Sequence, residues 1–244
     1  MIYLPDALID QLLLDDIQYG DLTTRALGLQ SQQGTMTFTS KLGGCVSGLN
    51  IAERMLTKLG VTCECLFHDG DIVEPQSCLI KASGSCEALH QGWKAVQNVL
   101  EWCGGVSHYT YQMVSILKKY QPDGQLACTR KTIPMTKPLA LTAILAGGAI
   151  IHRAGSAETI LLFTNHRNCL ANPDDWQSHV KTLRTAAPEK LIIVEADDEQ
   201  QAILAIKANA DIVQLDKLPI PQIQALQQYI QQQNSPCRLS IAGG

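Results

Sequence analysis

The stretch LIIVEADDEQQAILAIKANADIVQLDKL, residues 191–218, decides the fold. Four apolar residues, 191–194, end in Glu195. Asp198 followed by Gln201 has the spacing of a helix capping box, an acceptor with a partner three residues on. Ala202, Ile203, Ala205 and Ile206 then form an apolar stripe at helical spacing, and a second apolar run, 212–215, ends in Asp216. Strand, helix, strand at this length predicts a right-handed crossover in a parallel sheet, open or closed as a barrel. The rhythm continues outward, with β-type runs at 126–129, 160–163 and 239–242 and a second capping pair at Asp174 and Gln177. In the Gln-rich segment 221–233, Ile223, Leu226 and Ile230 recur at helical spacing, which predicts a helix with a glutamine-covered outer face.

The first hundred residues have a different pattern. A helix is expected over 5–14, with Leu8, Ile9, Leu12 and Leu13 on one face. Thr35–Thr39 alternates with period two, as a half-buried strand does. A helix over 48–59 is ended by Gly60. Strands are expected at 61–67 and 78–82 on either side of Asp69-Gly70-Asp71. A long helix is expected from Cys86 to about Cys103, with Leu89, Val96, Val99 and Leu100 inward.

Composition sets bounds. The 244 residues are 45% hydrophobic and 17% charged, enough to bury a core without staples and unlike a disordered chain. A net charge of -4 argues against nucleic-acid binding, which draws on many Lys and Arg contacts to phosphates. The longest apolar stretch, 139–151, is broken by Thr142 and Gly147-Gly148 and is too short for a membrane span. The N-terminus lacks the basic and apolar segments of a signal peptide. Nine cysteines at irregular spacing, without a Cys-x-x-Cys, predict reduced thiols of a cytoplasmic protein, several of them buried, in place of disulfides or a zinc site.

In a parallel α/β barrel the reactive groups gather where strands end. Here the runs are followed by Arg130-Lys131, Glu195 and Asp197, Asp216-Lys217 and Gly243-Gly244, while the apolar stretch 145–151 ends in His152-Arg153. Each has a plain structural reading: a solvated loop, a satisfied histidine, a helix cap before Pro219, a carboxylate paired with lysine, a turn. Together they suit a bulky anionic substrate. Arginine offers bidentate donors to carboxylate or phosphate, two carboxylates can hold a magnesium ion that bridges phosphates, and glycines let backbone N–H groups approach a phosphate.

At these residues the chain resembles the quinolinate phosphoribosyltransferase (nicotinate-nucleotide pyrophosphorylase) family, and most of all its ModD branch, associated with molybdenum transport operons. The matching segments are Asp21-Leu22-Thr23-Thr24, Thr129-Arg130-Lys131-Thr132, Gly147-Gly148 with His152-Arg153, Asn165-His166, Glu195, Leu215-Asp216 and Gly243-Gly244. The resemblance implies an α/β fold with an N-terminal α/β sandwich, residues 1–95, and an incomplete α/β barrel of the seven-stranded type, residues 96–244, from which the family's C-terminal tail is missing. It implies a homodimer with shared active sites and small anionic substrates. The reaction would join phosphoribosyl pyrophosphate, carried with Mg2+, to quinolinate and release pyrophosphate and carbon dioxide. By resemblance, Arg130, His152 and Arg153 bind substrate carboxylates, Lys131 contacts pyrophosphate, Glu195 and Asp216 face the ribose and its magnesium, and Gly243 and Gly244 begin the 5'-phosphate loop.

The departures fall on the acceptor side. The family's Glu-Arg on the long helix is Trp93-Lys94, its Lys-Asp-Asn-His is Phe163-Thr164-Asn165-His166, its Leu-Asp-Asn is Leu215-Asp216-Lys217, Met135 and Lys137 replace a Gly and an Arg, and Ser240 replaces an acidic residue. Losing the cation at Phe163 forfeits a charge-assisted hydrogen bond worth about 1.5–3 kcal/mol. This pattern predicts an altered acceptor. Two other readings are a non-catalytic oxyanion-binding or regulatory protein linked to molybdenum transport, and an aldolase-like barrel with a Schiff-base lysine at Lys131 or Lys217.

Overall fold

The computed structural model describes residues 2–243. The chain divides into two compact units, Met1–His152 and Arg153–Gly244.

The first unit opens with α1 (Asp6–Ile17) and the short α2 (Leu22–Ala26), followed by β1 (Gln33–Ser40), β2 (Gly44–Cys45), α3 (Leu49–Lys58), β3 (Thr62–Cys65), β4 (Ile72–Val73) and β5 (Ser77–Ser85). Its three-stranded antiparallel sheet has the order β1-β5-β3, and β2 pairs with β4. One core joins this sheet to the helices through Ile9, Leu13, Phe38, Met55, Leu56, Ile80 and Val96. The segment Asp21–Thr24 has a structural job. Asp21 caps α2, its Oδ1 accepting from the Thr24 amide at 2.6 Å, and the buried Thr24 hydroxyl meets His90 Nδ1 at 2.6 Å.

The long helix α4 spans Cys86–Tyr120, well past the end expected near Cys103. Gly104 and Gly105 do not stop it, because Ser107 and Thr110 beyond them are buried and Val106 packs into the core. The position 95/96 therefore lies inside this helix. After α4 come β6 (Ala127–Cys128), α5 (Lys137–Ala146) and β7 (Ile150–Ile151). The apolar stretch before His152 is thus mostly a helix end and a turn, with only Ile150 and Ile151 in a strand. That strand pairs in parallel with β6. Gly147 makes the turn possible: a Cβ there would lie 2.6 Å from both the Ser107 carbonyl oxygen and Thr110 Cβ on α4.

The second unit holds β8 (Ile160–Leu162), α6 (Thr164–Arg167), α7 (Trp176–Ala186), β9 (Ile192–Ala196), α8 (Glu199–Lys207), β10 (Ile212–Asp216), α9 (Ile220–Gln232) and β11 (Arg238–Ala242). Its sheet is parallel throughout, with order β11-β10-β9-β8. Each crossover carries a helix, as the repeating strand–helix rhythm predicts. Asp198 caps α8, accepting from the Gln201 amide at 2.8 Å. The cap of α7 is Asp175, one residue after the expected Asp174, and it accepts from the Ser178 amide. Ile192, Val194, Ala196, Val213 and Leu215 point to the helix-covered side and pack with Trp176, Val180, Ala202, Ile206 and Leu226.

All nine cysteines are free thiols. Burial pushes Cys103 up to about 12 and Cys65 and Cys237 up to about 11, so these are protonated packing groups. No helix among the described residues is long and apolar enough to cross a membrane.

Two glycine substitutions separate close approach from helix propensity. Gly147→Ala forces backbone atoms apart and is expected to cost about 1–3 kcal/mol. Gly104→Ala meets nothing within 4 Å and is expected to gain about 0.5–1 kcal/mol from helix propensity. Urea denaturation of both variants checks this, and a neutral Gly147→Ala would contradict the packing described.

Candidate active site

Period two decides which strand residues leave the core. With Val194, Ala196, Val213 and Leu215 on the helix side, Glu195, Gln214 and Asp216 must face the opposite side of the sheet. The parallel register puts Gln214 opposite Glu195 on one neighbour and Ser240 on the other. The Gln214 amide donates to Glu195 Oε2 at 2.8 Å across β10 and β9. Asp216 ends β10, where Lys217 Nζ lies 3.3 Å from its Oδ2.

Three charges act on Glu195. Burial pushes its carboxyl above the ordinary glutamate value, and the nearby carboxylates of Asp216 and Asp197 push the same way. The Gln214 hydrogen bond and the Arg153 guanidinium pull it down. A carboxylate crowded by two others favours an arriving cation. Arg153, Glu195 and Asp216 are therefore electrostatic neighbours at one end of this sheet.

Gly243 belongs to the same corner. Its φ is +78° and a Cβ there would lie 2.5 Å from both Asp216 Oδ1 and Lys217 Cγ. Lys217, also in the left-handed region at φ 58°, donates its amide to the Ala242 carbonyl at 2.8 Å. Glycine is thus required by both space and conformation. Gly244, expected beside it, lies outside the described residues.

The first unit carries the other expected residues. Arg130 and Lys131 are exposed on the loop after β6. His152 follows β7, and its amide donates to the Cys128 carbonyl at 3.1 Å. These three therefore sit at the same end of the β6–β7 pair. Lys137 is the first residue of α5. Lys94 lies on α4, with Nζ 3.0 Å from Gln97 Oε1 and 4.7 Å above the Trp93 ring.

The structure answers several plain readings. Asp216 caps no helix, since α9 begins after Pro219 without a side-chain cap. Glu195 takes its hydrogen bond from a glutamine in place of a lysine. Lys217 is exposed and paired with Asp216, not desolvated as a Schiff-base lysine needs to be. Phe163, following β8, packs edge-on against His166 with ring centroids 4.2 Å apart. Gln214 escaped the sequence reading. Its signal was available, because it stands two residues before Asp216 and so shares its face.

The sign of Glu195's shift fixes a pH response. A raised carboxyl means that the folded chain binds more protons than the unfolded one. This contribution to stability is complete at low pH and is lost as pH rises from the ordinary glutamate value of about 4.3 through the raised folded value. Asp216→Asn removes a like charge and should shrink that loss. Thermal melting of parent and variant across this interval measures it, and identical profiles would put Asp216 out of electrostatic reach of Glu195.

Comparison with known proteins places the chain in a family. The family model described as quinolinate phosphoribosyl transferase, N-terminal domain, matches residues 21–104, and the one described as quinolinate phosphoribosyl transferase, C-terminal domain, matches residues 106–244. The chain is 52% identical over 244 residues to "Putative pyrophosphorylase ModD" of Escherichia coli O6:H1, covering all of this chain and 86% of that protein. NadC from Streptococcus pyogenes superposes with a TM-score of 0.87 at 25% identity, over 98% of this chain and 83% of that one. The nicotinate-nucleotide pyrophosphorylase from Francisella tularensis has the same fold, with a TM-score of 0.88 over 99% of this chain and 85% of that one, at 21% identity. The α/β fold, an N-terminal sheet domain followed by a parallel-strand domain, and the ordered strand-end residues have one explanation: the chain belongs to the quinolinate phosphoribosyltransferase family.

Proposed function

We propose that this chain transfers phosphoribosyl from phosphoribosyl pyrophosphate to an aromatic acid other than quinolinate, releasing pyrophosphate. The observation that carries this reading is the Glu195–Gln214–Asp216 face, held at the carboxyl end of a parallel sheet. Breaking the anomeric bond builds positive charge on the ribose and negative charge on the departing pyrophosphate. Glu195 and Asp216 are the groups to stabilise the first. Lys131 is the group to stabilise the second. Gly243 and Gly244 would bring backbone N–H groups to the 5'-phosphate.

Magnesium enters this reading as part of the donor substrate. Among the described residues no group of three or more His, Cys, Asp or Glu side chains is placed to hold a metal ion. A pair such as Glu195 and Asp216 fits an ion whose remaining ligands are the donor's own oxygens and water.

On the acceptor side, Arg130, Lys137, His152 and Arg153 would position the acid so that its nucleophilic atom lines up with the anomeric carbon. Lys94 would be supplied by a second copy of the chain, in a homodimer with shared sites. Phe163, packed on His166, offers an apolar edge where family enzymes carry a lysine. An acceptor with one carboxylate fewer at that edge suits it better than quinolinate, because a carboxylate buried there without a cation would pay its desolvation unaided.

Pyrophosphate release from magnesium phosphoribosyl pyrophosphate, measured against a panel of aromatic mono- and diacids, tests the reading. The expected result is release with a monoacid exceeding that with quinolinate, reduced by about 10²–10³-fold in Glu195→Gln and Asp216→Asn. Mixing Lys94→Ala with Arg130→Ala chains should restore part of the activity. No release with any acid would overturn the transferase reading, and quinolinate as the best acceptor would overturn its specificity.

A further inference from the structure

Arg167 is an unusual residue to find inside this unit. It ends the four-residue helix α6, yet it is only 5% exposed. It forms no ion pair with any carboxylate among the described residues. Its guanidinium instead stacks on the Trp176 ring at 4.1 Å and donates from Nη2 to two neutral oxygens, Thr164 Oγ1 at 3.0 Å and Gln201 Oε1 at 3.1 Å. A buried charge met only by neutral groups is costly, and packing alone would be served better by an apolar residue.

Both neutral oxygens lead to the same place. The Thr164 hydroxyl, having accepted from Arg167, donates to Asp197 Oδ2 at 2.9 Å. Gln201 Oε1, also engaged by Arg167, accepts from the Asp197 amide at 3.4 Å. The Gln201 side-chain amide in turn donates to Asp198 Oδ2 at 3.2 Å, on the residue that caps α8. One buried cation thus holds Asp197 by side chain and by backbone. Asp197 is the second residue after Glu195, at the turn where β9 gives way to α8.

We infer that Arg167 is a positioning residue for the donor site, acting through Thr164 and Gln201 to fix Asp197 at the start of the β9–α8 turn, two residues after the strand residue Glu195. This rests on the reading of Glu195 as a donor-facing carboxylate. The physical logic is preorganisation. A carboxylate that must face developing charge is most useful when the backbone beside it is already fixed. The half-buried Thr164 hydroxyl is the replaceable link in the chain, while Arg167 and Trp176 are the buried anchor.

The test uses Thr164→Val, which keeps the side chain's shape and removes the hydroxyl, with Thr164→Ser as the conservative control. Calorimetric titration with magnesium phosphoribosyl pyrophosphate is expected to show affinity lowered roughly tenfold in Thr164→Val, the value of one hydrogen bond to a charged group. Thr164→Ser should bind and melt like the parent, whereas Thr164→Val should melt lower because the buried Arg167 loses one acceptor, so the titrations are run well below its melting temperature. Parent-like affinity in Thr164→Val, or a loss that serine does not restore, would overturn the inference. A crystal structure of Thr164→Val supplies a readout that needs no donor: the Asp197 carboxylate should leave its place, and an unmoved Asp197 would overturn the positioning role. If the parent itself binds no donor, the reading of the site fails, while that crystal structure still decides whether Asp197 is held through Thr164.

Discussion

The hydrogen bond from Gln214 to Glu195 across two parallel strands is the contact on which the site depends. It exists only because β9 and β10 pair with Gln214 opposite Glu195. A slip of one residue in either strand would turn Glu195 or Asp216 into the apolar cluster of Trp176, Val180 and Leu226, where burying a carboxylate is costly. The apolar residues on the helix side hold the register against that shift. Core packing and the placement of the candidate site are thus one constraint, imposed on alternate residues of the same two strands.

Electrostatics follow from the same placement. Glu195 stands beside Asp216 and Asp197 with partial relief from Arg153. Like charges held together cost stability, and an arriving cation would relieve that cost. Gly243 serves the same corner by its missing side chain, since a Cβ would collide with Asp216. The buried Arg167 stands behind this face, reaching it only through neutral oxygens.

Much of this was legible in the sequence because it is written in periodicity. The apolar runs of β8 to β11, the stripe of α8, its cap at Asp198 and the helix hidden in the glutamine-rich segment all follow from spacing. Helix α5 did not, because Leu139, Ala140, Leu141, Ala143 and Ile144 are all buried and a helix apolar on every side has no stripe to read. The full length of α4 was hidden by Gly104-Gly105, whose weak helix propensity is overridden by packing of residues on both sides. The Asp21–Thr24 segment reads as a motif, yet its observed contacts are a helix cap and a tie to His90.

At the candidate site, the strand-end carboxylates and the glycine were legible because strand ends in parallel sheets are where chemistry collects. The network behind them was not. Arg167 follows Asn165-His166 as one more polar residue in a polar segment, and nothing in spacing says that it turns inward onto Trp176. Such contacts depend on three-dimensional proximity between α6, α7 and α8. The central claim, that Glu195 and Asp216 form the face that receives the donor's ribose, is tested most directly by a crystal soaked with magnesium phosphoribosyl pyrophosphate. The account predicts the ribose hydroxyls or the magnesium ion against both carboxylates, with the 5'-phosphate beside Gly243. Donor density elsewhere, with Glu195 and Asp216 facing only solvent, would contradict it.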